Sequence, residues 1–179
     1  GKTTLYLYYQ RSNPNVIYLE GKKALNAKAF LTCLLTNAGQ KAKGTVLQMY
    51  NQFIDHVSEL ERPLIILDQF DKLADTTFDM FMDFYNDLYA HCGFVTSGVA
   101  ALEKRVMRGV QSSRIGYGET WSRMDSNFIK LDSVSLNDVA SIFKANGIDD
   151  PEVIHESYNG CEGDLRRVRK DVLKYHLKH

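Results

Sequence analysis

Short, unbroken apolar runs alternate along this chain with longer stretches in which apolar residues recur every third or fourth position. Residues 15–19 carry Val16, Ile17, Tyr18 and Leu19 and are closed by Gly21, the pattern of a buried strand. Residues 63–67 are apolar up to an abrupt stop at Asp68, which predicts a parallel strand buried on both faces with a carboxylate at its C-terminal edge. Residues 93–97 and 128–131 are two further strand candidates. Helical spacing fills the intervals. It covers the opening residues to about Gln10, stopped by Asn13-Pro14, and then residues 24–37, with Leu31, Leu34 and Leu35 on one face. It continues over residues 45–61 with Thr45 as cap, residues 76–91, and the basic segment 101–110. Gly109, Gly116 and Gly118 mark a turn region before the last strand candidate.

From Ser135 onward the pattern is helical only: residues 136–146 ended by Gly147, then 151–158, then 164–177. Alternating strands and helices predict an α/β domain with a mainly parallel sheet flanked by helices over residues 1–133. Residues 134–179 then form a small helical lid.

Composition narrows the class. With 179 residues, 44% hydrophobic and 25% charged, the chain suits one ordinary core plus a small subdomain. Lys and Arg total 22 and so do Asp and Glu, so no strong uniform field draws the whole surface onto nucleic acid, and any such contact must be a local patch. Cys33, Cys92 and Cys161 are widely spaced and read as reduced thiols. His56, His91, His155, His176 and His179 are scattered surface or helix positions, not ligands. No run approaches the ~20 apolar residues of a membrane span and no charged-then-apolar leader opens the sequence, so the expectation is a cytoplasmic protein without membrane contact.

Two short motifs carry chemistry. Gly1-Lys2-Thr3-Thr4 matches the end of a phosphate-binding loop, in which backbone N–H groups and a Lys hold phosphates and a hydroxyl holds Mg2+. The second is Asp68 after its apolar strand, the place for a carboxylate that supports the magnesium shell. Gln69 stands where a catalytic Glu is usual, and an amide can hold a water but cannot accept its proton. Asp71 is read as a cap for the following helix. In the tail, Asp164 caps a helix whose first turn holds Arg166 and Arg167, cations that oppose the helix dipole; a nucleotide phosphate would account for them, and so would a basic solvated face continued by Arg169 and Lys170.

These pieces in this order resemble the AAA+ superfamily of P-loop ATPases. The resemblance implies ATP and Mg2+ as ligands, with Gly1, Lys2, Thr3 and Thr4 at the phosphates, Thr3 and Asp68 at the metal, and Arg166 as the lid's sensor arginine. It implies Asp68 and Gln69 in catalysis and an arginine finger near residues 117–124. Arg123 is the candidate, with Arg105, Arg108 and Arg114 as rivals. A finger acts in trans, so a ring or filament of identical chains is expected. The usual polar sensor position falls at Val99, leaving Thr96 or Ser97 as substitutes. Within the superfamily the chain looks most like ATPases of bacterial mobile elements, of the phage Mu transposition B type. That likeness implies a DNA-associated switch in transposition, with double-stranded DNA held by Lys104, Arg105 and Arg108 and a transposase as partner. A nucleotide-sensing signalling module and a general initiator or loader ATPase are the alternatives.

Overall fold

The computed structural model describes residues 1–124 and 126–178. His179, one of the five histidines, lies outside the described residues. The chain divides into two compact units, residues 1–128 and 129–179, five residues earlier than the boundary expected from the sequence.

In the first unit, strands β1 (Val16–Glu20), β2 (Leu64–Asp68) and β3 (Gly93–Thr96) form a parallel sheet in the order β1-β2-β3. All three apolar runs form because parallel strands need cover on both faces, which continuous Val, Ile and Leu supply. The register is unbroken from Val16 opposite Leu64 to Glu20 opposite Asp68. Strand side chains alternate between faces. Ile17, Leu19, Ile65 and Leu67 therefore enter the main core with α2 (Ala27–Asn37), α3 (Val46–Glu59) and α4 (Asp75–Leu88). Val16, Tyr18 and Ile66 face the other way, where Tyr6 of α1 (Lys2–Ser12) packs on them. In the main core the Phe84 ring stacks on Tyr50 at 5.2 Å and on Phe30 at 6.1 Å, joining three helices under the sheet.

Helix starts follow their caps. Thr45 opens α3 in a reciprocal capping box with Gln48, as the sequence predicts. The α2 helix starts at Ala27, later than expected at residue 24, because the Asn26 side chain accepts from the Ala29 backbone N–H at 2.9 Å. Helix α5 (Ala100–Gln111) carries the basic segment, with Gly109 inside it under the Tyr117 ring.

Two expectations fail in the stretch that follows. The supposed turn region forms α6 (Tyr117–Arg123), because Gly116 adopts φ +84° as its N-cap and lets the chain re-enter a helix. Residues 128–131 form no ladder among the described residues. Their apolar content fits a pleated surface, but a strand exists only by pairing its backbone groups. Instead Phe128 stacks on Trp121 at 5.4 Å while Ile129 and Leu131 are exposed.

The second unit consists of α7 (Leu136–Ala145), α8 (Pro151–Cys161) and α9 (Leu165–Lys178) around Val139, Phe143, Ile148, Ile154, Val168 and Val172. Ser135 and Asp150 cap α7 and α8, and Asp164 accepts from the Arg166 N–H at the start of α9. The three cysteines are free thiols, and Cys92 is pushed up to about 12 by burial. No helix among the described residues is long and apolar enough to cross a membrane.

Candidate active site

Asp68 ends β2 and is 2% exposed, and both of its oxygens accept hydrogen bonds. Its Oδ2 accepts from Thr3 Oγ1 at 2.6 Å and from the Tyr18 hydroxyl at 3.3 Å. Its Oδ1 accepts from Ser97 Oγ at 2.6 Å and from the Gln69 backbone N–H at 2.9 Å. Those donors come from α1, β1, the end of β3 and the next residue along, so four chain segments meet on one carboxylate. A buried carboxylate persists only when hydrogen-bonded in this way. Burial first, and then the Asp68 and Glu20 carboxylates, push the Tyr18 phenol up, so it remains a donor.

Thr3 belongs to the first turn of α1, beside half-buried Lys2 and exposed Thr4. Leu5 N–H bonds back to the Gly1 carbonyl at 3.0 Å, closing that first turn. The N–H groups ahead of it have no intrahelical acceptor and carry the positive end of the helix dipole, the ready-made setting for an anion. The sequence-predicted phosphate residues Gly1, Lys2, Thr3 and Thr4 are thereby brought to the edge of the sheet where Asp68 lies. The Thr3 hydroxyl and Asp68 carboxylate are hard oxygen donors in direct contact, a set that suits Mg2+ and its retained waters.

Gln69 takes φ +52°, a left-handed conformation uncommon for a residue with a side chain. Its backbone carbonyl lies over Gly21, where an added Cβ would come within 2.5 Å of that oxygen, and Gly21 N–H bonds to the Asp68 carbonyl at 2.7 Å. The Gln69 side-chain amide donates to Glu20 Oε1 and accepts from Lys72 Nζ. Asp71 does not cap α4 as expected. It sits in a 3-10 turn (Phe70–Lys72) and its Oδ1 accepts from the Val99 N–H at 3.3 Å, tying that turn to the loop after β3.

The three candidate sensor positions differ in what they touch. Ser97 is the residue that reaches Asp68, while Val99 is exposed at the N-cap of α5. Tyr18 and Glu20 were not foreseen. Period-two alternation puts the two on one face of β1, but only the register with β2 shows that this is the face of Asp68.

Beside this site a second polar cluster centres on Asp75. Arg105 reaches it at 2.6 Å, Arg114 at 2.6 Å and the Tyr117 hydroxyl at 3.1 Å. Arg105 also donates to the Asp71 and Leu73 carbonyls and to Tyr117, and its guanidinium lies 4.3 Å above the Phe78 ring. Its side chain is 19% exposed. Arg105 therefore turns inward, away from the solvated basic face expected of it, whereas Lys104 and Arg108 are exposed. Burial would raise the Asp75 pKa, but the hydrogen bonds from Arg114, Arg105 and Tyr117 outweigh it and hold the carboxyl below the usual range.

Among the finger candidates, Arg114 is engaged by Asp75 and lies 5.3 Å over Tyr117. Arg123 is held more loosely, 3.8 Å from Glu119 and 5.6 Å from the Tyr85 ring. Arg166 lies in the second unit, exposed in the first turn of α9, and its neighbour Arg167 pairs with Glu162 at 3.0 Å.

Residues 1–106 match the family model described as the AAA domain. The chain belongs to the AAA domain family. The match spans the α1 first turn, Asp68 and Ser97 and runs into α5, so the carboxylate hub lies wholly inside it. As an AAA domain the chain is a nucleotide-binding ATPase module, and its α/β fold with a parallel sheet is that of P-loop NTPases. A search of curated proteins returned no match.

Proposed function

We propose that this AAA domain is an ATP- and Mg2+-dependent switch that associates with double-stranded DNA, in the manner expected of a transposition ATPase that regulates a transposase. The observation that carries the switch reading is the junction at Asp68. Thr3 and Asp68 are in contact, as a metal-bound nucleotide requires, and the residue after Asp68 is an amide. Lys2 holds the outer phosphates, Thr3 and Asp68 hold the metal and its waters, and Ser97 reports the state of Asp68. When bound, Mg2+ neutralises charge on the phosphates. Gln69 takes no proton from water, so the ATP-bound state outlives that of a brisk motor.

Lys104 and Arg108 stand four residues apart and exposed on α5, one helical face suited to backbone phosphates. Arg105 holds that helix in place. Arg123 completes a neighbouring subunit's site in trans.

The test is ATP turnover by the protein carrying its whole phosphate loop, with and without duplex DNA, beside Lys2→Ala. Turnover that depends on Lys2 and rises with DNA supports the proposal. Lys2-dependent binding of ATP with no response to DNA favours a nucleotide-sensing signalling module instead, and rapid DNA-independent turnover favours a general loader.

A further inference from the structure

Glu20 is the last residue of β1, directly opposite Asp68 in the parallel register. Val16, Tyr18 and Glu20 alternate onto one face of the sheet, the face that α1 covers and on which Tyr18 and Thr3 meet Asp68. A carboxylate thus stands beside Asp68, on the face that α1 covers, one strand away from Gln69. Its Oε1 accepts from the Gln69 side-chain amide, whose own carbonyl is occupied by Lys72. Gln69 is therefore braced at both ends, in a left-handed backbone conformation that fixes its direction. Only one oxygen of Glu20 is used in the brace, and a carboxylate offers about four acceptor sites.

We infer that Glu20 is the general base of this domain, taking over from the neighbouring strand the role that an amide at position 69 cannot perform. The inference rests on the ATPase reading above. In the step assigned to it, a water oxygen forms a bond to the γ-phosphorus and the bond from that phosphorus to the β-γ bridging oxygen breaks. The bridging electron pair leaves with ADP. The proton of the attacking water passes to the Glu20 carboxylate and from there to solvent. Gln69 acts as a positioning residue, holding Glu20 by its amide. The slow turnover expected of the switch is the activity of a base set one strand to the side.

The experiment compares wild type, Glu20→Gln, Gln69→Ala and the exchange variant Glu20→Gln/Gln69→Glu, all with the complete phosphate loop. Mg-ATP affinity is measured by calorimetry, single-turnover hydrolysis by quench, and the Gln69 side-chain NH2 resonances by NMR in nucleotide-free protein. Glu20→Gln is expected to lose ~10²-fold or more in hydrolysis, the range of a general base, with ATP affinity within about threefold of wild type, the scatter of an uninvolved binding residue. The Gln69 NH2 resonances move in the same variant. The exchange variant, which carries the carboxylate across the same hydrogen bond, recovers hydrolysis. Glu20→Gln that hydrolyses ATP within about threefold of wild type overturns the inference, since removing a base costs far more. Wild type that binds Mg-ATP but never hydrolyses it overturns the general base and leaves nucleotide binding standing. Wild type that binds no ATP overturns both readings.

Discussion

Ser97 donates its hydroxyl to Asp68 at 2.6 Å from the strand next door, and both side chains are buried. Each answers a polar need the other would leave open. Ser97→Ala leaves a buried carboxylate short of one donor, a loss worth ~1.5–3 kcal/mol for a hydrogen bond to a charged group. Urea unfolding of the variant should show that loss, with an unchanged slope, and Ser97→Thr should recover part of it.

Helix α5 and α6 are locked where Gly109 meets Tyr117. A Cβ at position 109 would run into the Tyr117 ring, itself wedged against Phe78 at 5.3 Å. Gly109→Ala is therefore expected to destabilise the first unit by ~1–3 kcal/mol, the usual cost of overpacking, although alanine is the better helix former. Thermal unfolding read by the near-UV signal of Trp121 and the tyrosines checks it. An unchanged or higher midpoint would mean that the α5 and α6 contact differs from the one described.

The Asp75 cluster predicts an acid limb. Its folded pKa lies below the ordinary value, so its stabilising contribution is complete above the unfolded pKa of about 4 and is lost as pH falls through the lower folded value. Asp75→Asn should lower stability at neutral pH and flatten the stability profile below about pH 4, a window set by the aspartate reference value. The carboxyl is 44% exposed on its side chain, so solvent screening keeps the effect modest. Denaturation midpoints measured from pH 3 to 7 at constant ionic strength decide the point.

Lys104 and Arg108 separate from Arg105 in their expected phenotypes. Removing either exposed cation should weaken duplex binding evenly across sequences and lower the salt slope by about one ion per residue. Arg105→Ala should instead destabilise the fold by freeing Asp75. Equal effects on stability from all three alanine variants would refute this division of labour.

Much of the fold was legible because parallel strands advertise themselves as unbroken apolar runs, and β1, β2 and β3 all do. Thr45 and Asp164 were legible as caps because their side chains satisfy local backbone donors. The Thr3 and Asp68 pairing was legible because two short motifs bracket it, although 65 residues separate them. Residues 128–131 were misread because apolar content predicts a willingness to pair, not a partner. The α6 helix was missed because glycine reads equally as a turn and as a left-handed cap. Arg105 was grouped with Lys104 and Arg108 because all three are basic. Yet Leu102, Val106 and Gly109 mark the buried face of α5, and position 105 lies three residues from the first and four from the last. Glu20 escaped notice because its importance comes from register with a strand far along the chain, which no local pattern reveals.

The hub at Asp68 has a mechanical reach beyond its hydrogen bonds. Ser97 is separated from the first residue of α5 by only Gly98 and Val99, and Val99 is tethered to Asp71. Gly98 is hemmed in by Asp71 and Leu102, so this link has little slack. On the proposed reading, a change in bound phosphate that draws Asp68 away from Ser97 pulls on a link three peptide bonds long, and the arm at its far end is the helix that presents Lys104 and Arg108.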